Sequence, residues 1–309
     1  MYIFGYLKEL LTISTAVSVE ISQEHSSREG PASCLDSNPT SVVIWHGMGD
    51  TYNSTGMQAV KTILEDEIPN VFVHSVYLDV DETKDQKLSI LGDLNTQIRG
   101  VCDQLNSIPE LENGFNAVGF SQGGLFLRSA MELCGLPIKT LITYGSPHNG
   151  VTDLPPCPEG NWLCKRRNSI LKKQIYNEKV QNSVVQAQYF RDVYNFEKYL
   201  ENSAFLKFVN NEFIRDTDYV NNFTKLEKLV MVMFSKDDML VPKETAWFCD
   251  LDPDSGEIIP FNETSSFQDD LIGIRTLYEQ NKIDFLTISD SHMKIDEGHL
   301  RFIAKKYFH

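Results

Sequence analysis

Gly119-Phe120-Ser121-Gln122-Gly123 closes a short apolar run, residues 115–120, and opens a segment with helical spacing. A serine in a G-x-S-x-G turn between a strand and a helix needs tiny neighbours so that the chain can double back. Its hydroxyl is then left above the end of the strand, where a base can reach it. The pentapeptide alone is a weak signal, so its neighbours along the chain decide how it is read.

Around this turn, apolar runs alternate with helical patterns, which predicts a parallel sheet with crossover helices. Residues 41–45 read as a buried strand, followed by a glycine-rich loop and a helix over 55–67 that ends before Pro69. Residues 71–77 read as a strand, 88–105 as a helix, 115–120 as the strand before the turn, 123–133 as the helix after it and 138–144 as another strand. An interruption over 151–228 is rich in helix formers and aromatics. The sheet resumes at 229–234 and 283–288, and 296–307 closes the chain as a helix. The expected organisation is one α/β domain over 41–309, with a helical insertion at about 151–228 between two late strands. It is preceded by a polar, flexible leader over 19–40. Residues 1–18 resemble a weak signal peptide, almost without positive charge but with Ala16-Val17-Ser18 as a small-residue cleavage site.

With 309 residues, 41% of them hydrophobic, the chain can bury a large core. A formal charge of -15 argues against nucleic acid or an anionic membrane as the main partner. No run approaches the ~20 apolar residues of a stable membrane span. Six cysteines, Cys34, Cys102, Cys134, Cys157, Cys164 and Cys249, include no CxxC, so zinc and thioredoxin chemistry are not expected. The sequons at Asn53, Asn222 and Asn262 permit glycosylation. The even cysteine count, the leader and the sequons together favour a secretory route.

Three further motifs sit at strand ends, where parallel sheets expose their ligand crevices. His46-Gly47-Met48-Gly49-Asp50 follows the first strand. Its glycines let a backbone N–H, naturally that of Met48, point at a developing oxyanion, with the N–H of Gln122 as second donor. Phe234-Ser235-Lys236-Asp237-Asp238 supplies an acid that could orient a histidine, with the register between the two aspartates open. His292 follows the last strand, and the order serine, aspartate, histidine is that of α/β-hydrolases. His46, by contrast, reads as support for its own loop. A metal site from His46, His74 and His148 lacks a carboxylate at local spacing, so neither metal nor cofactor is expected.

The His46–Asp50 loop, the elbow extended to Gly124, and Phe234-x-x-Asp237 with Pro242 and Trp247-Phe248 downstream resemble the palmitoyl-protein thioesterases, the lysosomal type 1 branch more than type 2. The resemblance covers about residues 41–309. It implies an α/β-hydrolase fold, Ser121 as nucleophile, Asp237 rather than Asp238 as acid, His292 as base, and Met48 and Gln122 as backbone donors. It further implies Cys102–Cys134 and Cys157–Cys164 disulfides, and leaves Cys34 and Cys249 unassigned.

The activity so implied is hydrolysis of long-chain acyl thioesters, palmitoyl above all, from cysteines of S-acylated proteins or peptides. The expected location is the lysosome, with secretion as a second destination. Phe190, Tyr194, Phe196, Phe205 and Phe208 of the insertion are candidates to line an acyl groove, or else form the insertion's own core. The same triad cleaves oxygen esters, so a lipase or carboxylesterase is the alternative. A lipid-binding module with a dead site is a third reading, which would require a missing triad member, and all are present.

Overall fold

The computed structural model describes residues 39–154 and 172–308, together with 166, 168 and 169. The signal-like segment, nearly all of the leader, Cys34, Cys157 and Cys164 lie outside the described residues.

Strand β1 (Ser41–Trp45) is buried along its whole length because both of its faces are covered. Val42 and Ile44 enter one apolar cluster while Val43 and Trp45 enter another, the period of two expected of a strand. β3 (Phe115–Phe120) is likewise buried throughout and β5 (Lys228–Phe234) from Leu229 onward, as befits a sheet sandwiched between helices. With β2 (Val73–Ser75), β4 (Ile138–Tyr144) and β8 (Ile283–Ile288) they form a six-stranded sheet in the order β2-β1-β3-β4-β5-β8, every neighbouring pair parallel. The short strands β6 (Asp250–Leu251) and β7 (Ile258–Ile259) pair as a separate antiparallel ribbon.

Helix α1 (Thr55–Glu67) and the closing helix Glu297–Tyr307 cover one face of the sheet through Met57, Leu64, Leu300 and Ile303. Helices α3 (Leu94–Asn106) and α4 (Gln122–Cys134) cover the other. The helix expected over 88–105 starts later, at Leu94: Leu88 is the last residue of a separate helix, α2 (Glu82–Leu88), and α2 and α3 each begin at their own aspartate cap. Asp81 accepts from the Lys84 N–H and Asp93 from the Thr96 N–H, satisfying N–H groups that a new helix leaves free.

The insertion is a chain of short helices, Glu178–Gln181, Val185–Gln188, Phe196–Asn202, Leu206–Val209 and Thr217–Phe223. Among the described residues it builds no separate core. Val185, Phe190, Phe205 and Leu206 join the same cluster as Leu125, Phe126 and Met131 of α4. The aromatics considered for one groove therefore divide: Phe190 and Phe205 are core, Phe196 packs at its edge, and Tyr194 and Phe208 are exposed. Roofed by the insertion and floored by the sheet, α4 is buried from residue 122 to 132. Its two charged residues must therefore find partners inside. Arg128 donates to Glu132 Oε1 at 3.1 Å, to Asn210 Oδ1 of the insertion at 2.7 Å and to the His148 carbonyl at 3.1 Å. A Cys102–Cys134 disulfide joins α3 to α4, as the resemblance implies, and Cys249 is a buried thiol.

Candidate active site

Ser121 sits between β3 and α4 with φ 54° and ψ -127°, a conformation that costs energy for a residue bearing a Cβ. The surrounding structure imposes it. A Cβ on Gly119 would stand 2.2 Å from Gly124 Cα, and one on Gly123 would stand 2.5 Å from both the Trp45 and His46 carbonyl oxygens. Only glycines at these two places let the turn close and let the β1 loop lie against it.

The turn points the Ser121 hydroxyl at His292, which follows β8. Ser121 Oγ lies 3.0 Å from His292 Nε2, and His292 Nδ1 lies 2.6 Å from Asp237 Oδ2. A carboxylate can only accept, so Nδ1 carries a proton toward Asp237 and Nε2 is left to accept from the serine. The Asp237 side chain is 1% exposed, and its other oxygen accepts the Met239 and Leu240 N–H groups at 2.9 and 3.1 Å. Asp238 is exposed. The three-dimensional arrangement thus selects the first aspartate of the pair. A hydroxyl facing an imidazole held by a buried carboxylate can lose its proton as it attacks an acyl carbon.

The loop after β1 lies directly beside the serine, since a Cβ on Gly47 would be 3.1 Å from Ser121 Cβ. The loop that carries Met48 is thus packed against the elbow, and the Gln122 N–H at the first turn of α4 has no partner within the helix. Of the remaining histidines, His46 is buried under the loop, with Nδ1 2.9 Å from the Gly47 carbonyl and Nε2 3.2 Å from Asp85 Oδ2. That second approach is close but not aligned as a hydrogen bond. Asp85 is itself fully buried and accepts the Tyr52 and Leu78 N–H groups at 2.8 and 2.7 Å. Burial alone would raise its pKa, but the His46 ring and these two N–H groups hold it below the ordinary carboxylate value. His74 pairs with Gln104 and His148 with Thr143, so these three histidines do not converge. Among the described residues no group of His, Cys, Asp and Glu is arranged to hold a metal ion.

Asp85, Gln86 and Ser89, which brace the loop from α2 and its end, are not singled out by the sequence. They lie about forty positions from the loop, and nothing in their local spacing signals the contact. The sequons sit at the surface at Asn53 and Asn262, whereas Asn222 is half-buried and donates to the Glu132 carbonyl at 2.9 Å.

A parallel sheet in this order, a serine on a strained strand-to-helix turn, and an aspartate and histidine from the ends of β5 and β8 define an α/β-hydrolase. Residues 41–292 match the family described as palmitoyl protein thioesterase. Palmitoyl-protein thioesterase 1 of Caenorhabditis elegans is 39% identical over 86% of this chain and 91% of its own length. Palmitoyl-protein thioesterase 3 of Dictyostelium discoideum is 32% identical over 81% and 84%. The Lysosomal thioesterase PPT2 homolog of Drosophila melanogaster is 31% identical over 60% and 65%. The chain belongs to the palmitoyl protein thioesterase family, a family of hydrolases.

Proposed function

We propose that this protein hydrolyses long-chain acyl thioesters, palmitoyl on cysteine foremost, in S-acylated proteins or peptides through an acyl-enzyme on Ser121. The observation that carries the reading is the continuous contact from Ser121 Oγ through His292 to Asp237, in a chain of this family. His292 Nε2 takes the hydroxyl proton as Oγ bonds to the thioester carbon, and the Met48 and Gln122 N–H groups receive the oxyanion. The tetrahedral adduct collapses with loss of the cysteine sulfur, which takes the proton back from Nε2. Water then gives a proton to His292 and its oxygen to the acyl carbon, releasing the fatty acid and restoring Ser121.

The acyl chain is placed against the insertion. Ile90 and Leu91 expose their side chains next to Ser89, and their backbone is tied to the insertion by the Val185 N–H to Ile90 carbonyl bond and by the Leu91–Val184 bridge. At ~0.8 kcal/mol per buried methylene, such an apolar seat favours long chains. Lysosomal residence, with glycans at the exposed Asn53 and Asn262, is consistent with the lysosomal name of the fly relative. Among the described residues no helix is long and apolar enough to cross a membrane.

The test is hydrolysis of a palmitoyl-cysteine peptide and its matched oxygen ester by wild type and Ser121→Ala at pH 5 and pH 7. Thioester preference that vanishes in the variant supports the reading. Preference for the oxygen ester would make the protein a lipase or carboxylesterase, and undiminished turnover by Ser121→Ala would sink the serine mechanism.

A further inference from the structure

We infer that Ser89, held from the insertion by Gln186 directly and by Tyr189 through Gln122, is the positioning residue that joins the two halves of the oxyanion hole. The inference rests on the reading of Met48 and Gln122 as the oxyanion donors. These donors come from separate elements, the loop after β1 and the start of α4, and the β1–β3 pairing that brings those elements together ends at Trp45 and Gly119, before either donor.

Ser89 is 2% exposed and touches both sides. Its Oγ accepts the Gly49 N–H at 2.8 Å, immediately after Met48, and donates to the Gln86 carbonyl at 2.6 Å. Gln86 in turn donates to the Gly49 carbonyl at 2.7 Å, so both peptide groups of Gly49 are held from α2 and its end. The Ser89 carbonyl accepts from Gln122 Nε2 at 2.8 Å, which fixes the side chain of the second donor residue.

The insertion closes the network. Gln122 Oε1 accepts from Tyr189 Oη and from Gln186 Nε2, both at 3.1 Å, and Gln186 Nε2 also reaches the Ser89 carbonyl at 3.1 Å. Tyr189 and Gln122 are buried, and water has little access to substitute for a lost partner. Every polar atom of the Gln122 amide is therefore committed to Ser89 or to the insertion. Ser89 also precedes Ile90 and Leu91, so the segment proposed to meet the acyl chain is continuous with the residue that spaces the donors. An acyl chain that presses on this segment acts directly on the donor geometry, which makes the insertion a determinant of turnover as well as of binding.

The experiment compares Ser89→Ala, Tyr189→Phe and the double variant with wild type and Ser121→Ala on a palmitoyl-cysteine peptide. Binding of a long-chain alkyl trifluoromethyl ketone, which becomes an oxyanion on the enzyme, is measured for each. Removing one buried hydrogen bond that holds a donor should lower kcat about fivefold to thirtyfold with KM within about twofold. Affinity for the ketone should fall in parallel with kcat/KM. The double variant should lose less than the product of the single losses, because both act on one network. Unchanged kcat and ketone affinity in folded variants would overturn the inference, as would multiplicative losses carried by KM. Turnover by Ser121→Ala would instead remove the mechanism on which it rests, and that arm is read independently.

Discussion

Asp237 Oδ2 stands 2.6 Å from His292 Nδ1, joining residues 55 positions apart, while the adjacent Asp238 faces solvent. The two aspartates are chemically identical and differ only in where the turn after β5 sends them. The Met239 and Leu240 N–H groups fold that turn around Asp237 and orient its carboxylate. Asp237→Asn should therefore lower kcat by about 10³–10⁴ by allowing the wrong imidazole tautomer. Asp238→Asn should leave kcat within about twofold. Steady-state kinetics on a palmitoyl-cysteine peptide decide it, and equal losses in the two variants would contradict the assignment.

Two glycines in helices should respond oppositely to the same change. Gly123→Ala drives a methyl group to within 2.5 Å of two backbone oxygens, so either the β1 loop or the elbow must move. The expected cost is on the order of 1–3 kcal/mol or more, together with loss of turnover. Gly100, within α3, has nothing within 4 Å of an added Cβ. Gly100→Ala should stabilise by about 0.5–1 kcal/mol through helix propensity, with activity unchanged. Urea unfolding of both variants tests the pair.

Glu132 predicts a pH dependence of stability. Burial pushes its carboxyl up to about 7, despite the opposing pull of Arg128, against an ordinary value of 4.5 in the unfolded chain. Between those values the folded protein holds a proton that the unfolded chain releases. The stabilisation from this group is complete below the ordinary value and is lost as pH rises through about 7. Thermal unfolding should show wild type losing Tm from pH 5 to pH 7.5, and Glu132→Gln losing less. A steeper loss in the variant would refute the assignment.

Cys102 and Cys134 are 32 positions apart, and their bond ties α3 to the helix that carries the elbow. Replacing both with alanine should cost about 3–4 kcal/mol, mostly by freeing the unfolded chain. The Ser121 contacts do not run through the disulfide, so kcat should be retained below the lowered Tm. Loss of kcat at temperatures where the variant is folded would show that the bond also shapes the site.

Much of the site was legible in the linear sequence because each reactive residue carries a local steric signature. Gly119-Phe120-Ser121-Gln122-Gly123 demands a tight turn, and largely apolar runs such as residues 115–120 and 283–288 read as strands, the first covered on both sides and the second at the sheet's edge. Their bounds agree with β3 and β8. The late start of α3 at Leu94, against an expected helix over 88–105, was less legible, because helical spacing of apolar residues runs on across a cap.

What the sequence by itself determined is the order of elements and the chemical parts: a serine on an elbow, acids after one strand, a histidine after another. The strand-end pattern left the two aspartates open and the family resemblance chose Asp237, whereas tertiary structure alone decided that the insertion shares the core of α4 and that Asp85, Gln86 and Ser89 support the loop after β1. The reason is physical. Turns and strands are set by clashes and periodicities among near neighbours. A hydrogen bond between Ser89 and Gly49, or a buried one between Tyr189 and Gln122, depends on how whole helices dock, and no local pattern records it.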